Sequence, residues 1–349
     1  MSRTMLFSRS GVLGRARQIW RRYGIFWLGA TAVGLVAVFY ARLIDWGYDA
    51  FRSMEARHAW LTLIVTPTLA AASVWLTRRF FRGAEGSGIP QVIATLHEGT
   101  STLGPRLLNL KLLVGKVAVS FLGILGGFTI GREGPTVQVG AALMFNLRRL
   151  YPRSNALIER QLVLAGAAAG LSAAFNTPLA GIVFAIEELT RSFEGRTSGV
   201  LITAIIIAGI IALSLNGNYT YFGTIQIGGL PDLIAAAVVL TALVTGVAGG
   251  IFSWLLLNTS RWLPARLSQL RGEHPVAFGA LCGLVIAVVG LISHGTTFGS
   301  GYAEARGLLE GREQLSMFYP LLKMVSMVGS YLPGIPGGIF APSLSIGAG

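Results

Sequence analysis

The feature that most restricts this chain is a series of long uncharged stretches interrupted by glycine and proline. Such sequence runs over 161–186, 197–231, 233–260, 275–303 and 324–349, several of these longer than the ~20 residues a straight membrane span requires. Only 12% of the residues are charged and 53% are hydrophobic, whereas a soluble domain covers itself with about 25% charged residues. The sequence therefore predicts an all-α polytopic membrane protein with some spans tilted or broken. Its single cysteine, Cys282, excludes an intrachain disulfide or a thiolate metal cluster.

The net charge of +13 is placed as membrane topology demands, so nucleic acid is not an expected partner. Arg3, Arg9, Arg15, Arg17, Arg21 and Arg22 precede the first apolar run, and no acid occurs before Asp45. By the positive-inside rule 1–22 is a basic cytoplasmic segment, and 23–349 forms the transmembrane domain. The run Tyr23–Ala41 is too long for a signal-peptide core and has no small-residue cleavage site. A loop with Asp45, Asp49 and Glu55 is expected outside, and the run Ala59–Thr77 returns to Arg78, Arg79 and Arg82 in the cytoplasm. Trp20, Trp27, Trp46, Trp60 and Trp75 sit near span ends as an interfacial belt.

Three breaks stand out: Gly86-Ser87-Gly88-Ile89-Pro90, Gly131-Arg132-Glu133-Gly134-Pro135 and Gly334-Ile335-Pro336-Gly337-Gly338. Irregular backbone at membrane depth must be buried in protein or line a cavity. Glycine followed by proline at the head of an apolar run marks a helix start. Such starts carry a partial positive charge and unpaired amides, which suit an anion; glycine for close helix packing is the competing explanation. Shifting the sequence by 207 positions lays Lys116 on Lys323, Gly131 on Gly338, Pro135 on Pro342, Gly140 on Gly347 and Ala141 on Ala348. Duplicated halves with breaks at equivalent positions point to a transporter with its site between them. The first repeat spans about 60–215 and the second about 230–349. The counterpart of Leu162–Thr190 would begin near position 369, so the second repeat is expected to be C-terminally truncated.

Of the 15 acids, Glu133, Glu187 and Glu188 lie in or at the edge of apolar sequence. A carboxylate in a membrane costs roughly 3 kcal/mol and is functional by default. Glu133 at a helix start competes with a bound anion for the same amides, so it can gate the anion and couple its movement to a proton; pairing with Arg132 is the alternative. Glu187 and Glu188 are either a proton station or solvated interface charges. Lys116 and Lys323 either serve the duplicated unit structurally or snorkel to the interface. His58, His97, His274 and His294 have no metal-ligand spacing, and no cofactor is expected beyond the transported ions. No enzyme motif is present; an intramembrane serine protease built from Ser87 and His294 is a remote alternative.

Gly86-Ser87-Gly88-Ile89-Pro90, Gly131-Arg132-Glu133-Gly134-Pro135 and Gly338-Ile339-Phe340-Ala341-Pro342 resemble the three signature segments of the CLC family of chloride channels and chloride/proton exchangers. The resemblance implies an inverted-repeat bundle of tilted, broken helices, usually a homodimer, here in the bacterial inner membrane with lipids around it. It implies an anion site of Ser87, Gly88, Ile89, Glu133, Gly134, Ile339 and Phe340. Ser87 would supply a hydroxyl, and Ile339 and Phe340 their backbone amides. Glu133 would be the gate and Glu188 the inner proton glutamate, so chloride and protons are the expected partners and antiport the expected activity. A passive chloride channel is the alternative. Serine at 87 implies chloride over nitrate. Gln91 departs from the glutamate common in relatives, and the tyrosine the family brings to the inner side of the site from a late helix has no counterpart here.

Overall fold

The computed structural model describes residues 23–151, 155–190, 198–217, 223 and 233–349. The basic segment 1–22, with its six arginines and Trp20, lies outside them, as do parts of the stretch 197–231. Among the described residues the chain is helical, and its one isolated β-bridge joins Gly131 to Gly338. Among the described residues six helices are long and apolar enough to cross a membrane, or seven if Thr100–Leu107 and Leu110–Leu125 count as one broken span. The protein is thus a multi-pass membrane protein.

The first helix, α1 (Ile25–Arg57), corrects one expectation. Asp45, Asp49 and Glu55 were expected in a loop after Ala41, but α1 continues through them for 33 residues in all, about 50 Å at 1.5 Å per residue. No proline or glycine pair stops it. Tyr40, Ile44 and Phe51, near helical spacing, are buried in one cluster, so the acids fall on other faces of a helix that outruns the ~30 Å hydrocarbon layer. After it come α2 (Thr62–Phe80), α3 (Ile89–Glu98), α4 (Thr100–Leu107), α5 (Leu110–Leu125), α6 (Glu133–Asn146), α7 (Ala156–Phe175) and α8 (Pro178–Phe184). The rest are α9 (Ser198–Asn216), α10 (Ile234–Leu257), α11 (Thr259–Trp262), α12 (Ala265–Glu273), α13 (Pro275–Ile292), α14 (Tyr302–Leu309), α15 (Tyr319–Tyr331) and α16 (Phe340–Ala348).

The chain forms two compact units that interleave along the sequence. In the unit made of residues up to Val38, 91–110 and 137–217, α7 is the central element. Asn155 caps its start by accepting from the Ile158 amide at 2.9 Å, and Asn176 ends it in the left-handed conformation at φ 57°. Its run of alanine and glycine is buried almost throughout. Gly166 lies against the carbonyl of Gly140, so a side chain on either glycine would strike backbone; small residues let membrane helices approach this closely. α8 starts with Pro178 in its first turn and widens into a π-helical end at Ala185–Thr190.

The second unit comprises 39–90, 111–136 and 218–349. Its frame is the antiparallel pair α2 and α13: a Cβ on Gly279 would stand 2.7 Å from Val74, and one on Gly283 2.7 Å from the Cα of Pro67. The Gly279-x-x-x-Gly283 spacing thus opens a groove along α13 for α2. Trp46, Trp60 and Trp75 are exposed, as interfacial anchors require.

Candidate functional site

All three interrupted segments lie in this second unit. Each precedes a helix with proline in its first turn or just beyond: α3 holds Pro90, α6 Pro135 and α16 Pro342. In the third segment the helix begins at Phe340, not after Pro336, and the backbone of Gly337 and Gly338 bonds neighbouring segments instead. The amide of Gly337 donates to the carbonyl of Gly86 at 3.1 Å, tying the third segment to the first. Gly131 and Gly338 exchange two backbone hydrogen bonds of 2.7 Å, tying the third to the second. The hydroxyl and carbonyl of Ser87 lie against Gly134 where a Cβ would stand, tying the first to the second. Each segment touches the other two, and the two glycines that the 207-residue shift superposes bond each other reciprocally, as residues on a two-fold axis do.

Ser87, Gly88, Glu133 and Gly134 are buried, Ile89 and Ile339 half-buried, and Phe340 exposed. Glu133, 1% exposed, folds back over Gly131. Its Oε2 and the Ala341 amide both lie within 3.4 Å of the point a Gly131 Cβ would occupy. The carboxylate thus lies near its own helix start and in the neighbourhood of the α16 start. A helix terminus stabilises a charge by up to ~2 kcal/mol in partly buried geometry, and a membrane carboxylate costs roughly 3 kcal/mol, so two nearby starts offset more of that cost than one. Arg132 binds Asp45 at 2.7 Å and donates to the carbonyl of Ala41 at 3.1 Å.

The irregular backbone is held by two lysines. Lys116 Nζ donates to the carbonyls of Ala84 and Gly86 at 2.8 and 2.7 Å. Lys323 Nζ donates to Thr297, Phe298 and Gly299 at 3.1, 3.2 and 3.1 Å. Both are buried at 1% or less, which overturns snorkelling. The carbonyls Lys323 serves lie just before and at the start of a second Gly-Ser-Gly, residues 299–301, that leads into α14. Gly86 and Gly299 share the left-handed conformation at φ 63° and 67°, as do Gly88 and Gly301 at 98° and 77°. Sequence reasoning missed this pair because it is offset by 213 positions and not 207. The tripeptide itself was the available signal.

Glu187 and Glu188 lie in the other unit, exposed on the π-helical end of α8. The remote protease alternative gains no support: among the described residues no hydrogen bond joins Ser87 to His294. Glu85, two residues before Ser87, shares a cavity with Arg271, just ahead of the start of α13. His294 follows the far end of that helix, about 27 Å along its axis.

Residues 68–349 match the family described as voltage gated chloride channel. The chain belongs to the CLC family. The H(+)/Cl(-) exchange transporter ClcA of Salmonella typhimurium is 32% identical over 341 residues, 91% of this chain and 68% of that protein. The protein of the same name from Salmonella arizonae is 31% identical over 338 residues, again 91% of this chain and 68% of the relative. Among solved structures, a slow cyanobacterial Cl-/H+ antiporter aligns with a TM-score of 0.75 at 23% identity, over 92% of this chain and 76% of the other. A CLC-type fluoride/proton antiporter aligns with 0.75 at 20% identity, over 92% and 78%. The CLC fold is thereby established for this chain, and with it a family of transporters.

Proposed function

We propose that this CLC protein is a chloride/proton antiporter whose anion site is formed by Ser87, Gly88, Ile89, Gly134, Ile339 and Phe340, with Glu133 as gate. The observation that carries the reading is the mutual contact of the three helix-initiating segments, with one buried carboxylate near two of the starts. Chloride binds to backbone amides and the Ser87 hydroxyl, so no fixed cation traps it. Deprotonated, Glu133 occupies the amides that the ion needs; protonated, it loses that attraction and yields the place. One proton thereby accompanies each exchange of occupants. Glu188, exposed at the end of α8, is the inner station that delivers the proton. The chain works as a homodimer in the bacterial inner membrane, with its amino terminus in the cytoplasm, and its site lies between two repeats of about 60–215 and 230–349.

The test is reconstitution in liposomes under a chloride gradient with internal pH recorded. Uphill proton movement is expected for the wild type, and Glu133→Gln should pass chloride with no proton movement. Chloride flux without protons in the wild type would make it a passive channel, and unchanged coupling in Glu133→Gln would remove Glu133 from the mechanism.

A further inference from the structure

We propose that the cavity at the junction of α2, α12 and the turn before α16 binds the phosphate of an anionic phospholipid headgroup. The cavity measures about 410 Å³ and is lined by Val74, Thr77, Arg78, Arg82, Glu85, Arg271, Pro333 and Gly334. Arg78 of α2, Arg82 of the turn after it and Arg271 of α12 thus line one concavity of a size that holds small ligands. Among the described residues none of the three forms an ion pair. The single carboxylate of the lining, Glu85, accepts from the Gly83 amide at 2.7 Å, and Glu273, near Arg271 in sequence, accepts from Gln269 at 2.9 Å. Arg82 spends one of its five N–H groups on the carbonyl of Arg78 at 2.9 Å, which fixes the fork and leaves the others to a ligand. Three like charges repel one another, and their gathering in one hollow is stabilised by an anion that bridges them. A phosphate matches guanidinium geometry through paired N–H donors.

The surroundings favour a lipid as the carrier of that phosphate. The cavity sits where two membrane-spanning helices meet water, at the end of α2 and the approach to α13. On the last turns of α2, Trp75 and Phe80 are exposed with ring centroids 5.5 Å apart, and the Arg79 guanidinium lies 5.7 Å from the Phe80 ring centre. Exposed aromatic and basic residues at a helix end mark headgroup depth, and basic pockets between membrane helices recognise anionic headgroups. Beneath the arginines lie the turns that carry the proposed chloride site. A Cβ on Gly334 would stand 3.8 Å from Glu85, which precedes Ser87 by two positions, and Gly334 opens the turn that leads to Ile339 and Phe340. A headgroup here would therefore rest against two of the three anion-binding segments; that consequence depends on the antiport reading, whereas the binding itself does not.

The experiment measures bound lipid, so its outcome is separable from transport. The purified full chain is placed in phosphatidylcholine nanodiscs doped with phosphatidylglycerol, and the retained lipid is identified by native mass spectrometry. Phosphatidylglycerol should be retained in preference to phosphatidylcholine, and Arg78→Gln, Arg82→Gln and Arg271→Gln should each weaken that preference by about fivefold, the factor for one basic group at an anionic surface. The triple variant should retain both lipids alike, and Arg79→Gln, outside the cavity, should weaken the preference less than any of the three. If the triple variant does not incorporate, the single variants decide. Full retention of phosphatidylglycerol by the arginine variants overturns the proposal. Displacement of the lipid by excess inorganic phosphate also overturns it, and assigns the pocket to the free ion; lack of displacement supports the lipid.

Discussion

Gly131→Ala should uncouple chloride from protons without touching a titratable group. The new methyl would land on the Glu133 carboxylate and meet Ala341 Cβ at 3.2 Å and its amide nitrogen at 3.4 Å. The two Ala341 contacts relax with shifts of a few tenths of an ångström. The overlap with Oε2 does not, so the carboxylate must leave its seat or take a poor rotamer. A rotamer about 30° off its minimum costs roughly 0.5–1.5 kcal/mol. Since 1.4 kcal/mol is a factor of ten in a two-state equilibrium, the seated population falls by about two- to twelvefold. Alanine keeps the amide and carbonyl that pair with Gly338, so the fold should persist. In proteoliposomes under a chloride gradient, protons moved per chloride should drop several-fold while chloride flux is retained or rises. Gly134→Ala makes a useful contrast: its methyl would collide with the Ser87 hydroxyl and approach the Ser87 carbonyl at 2.9 Å, so it should impair chloride binding instead. Wild-type coupling in a correctly folded Gly131→Ala protein would refute the seating of Glu133 as the gate.

Two further outcomes concern stability. Lys323→Met should leave the three buried carbonyls of residues 297–299 without their donor, at about 1–3 kcal/mol for each one that finds no substitute, and a thermal-unfolding series should show a larger loss than for Lys111→Met at the exposed lysine. Gly283→Val should force α13 off α2 against the backbone of Pro67 and Thr66, costing about 1–3 kcal/mol by overpacking, and the same unfolding assay should place it well below Gly246→Val, where a Cβ would meet nothing within 4 Å.

Much of this architecture could be read from composition and punctuation. Uncharged runs located the spans, and glycine followed by proline located the starts of α3 and α6, because those residues act on the local backbone whatever surrounds them. The start of α16 was displaced: Pro336 carries the same local signal as Pro342, and the pairing of Gly338 with Gly131, which falls between them, is tertiary. The length of α1 was misjudged for a related reason. Charge marks where lipid ends but not where a helix ends, and the stripe of Tyr40, Ile44 and Phe51 continues past the first acids. Ser87, Glu133 and Gly134 could be singled out as candidates, but the contact that joins Ser87 to Gly134 belongs to tertiary structure and leaves no trace in spacing. Lys116 and Lys323 were visible as a matched pair; their work as donors to broken backbone was not, because a buried ammonium and a snorkelling one have the same sequence.

The sealing of those two side chains gives the molecule a built-in chemical reporter. The sequence holds three lysines, Lys111, Lys116 and Lys323, and of these Lys111 alone is exposed. An amine-reactive dye should therefore tag one lysine in the native protein and all three once the chain is denatured, so that mapping the modified peptides tells which of the two irregular segments has come apart first.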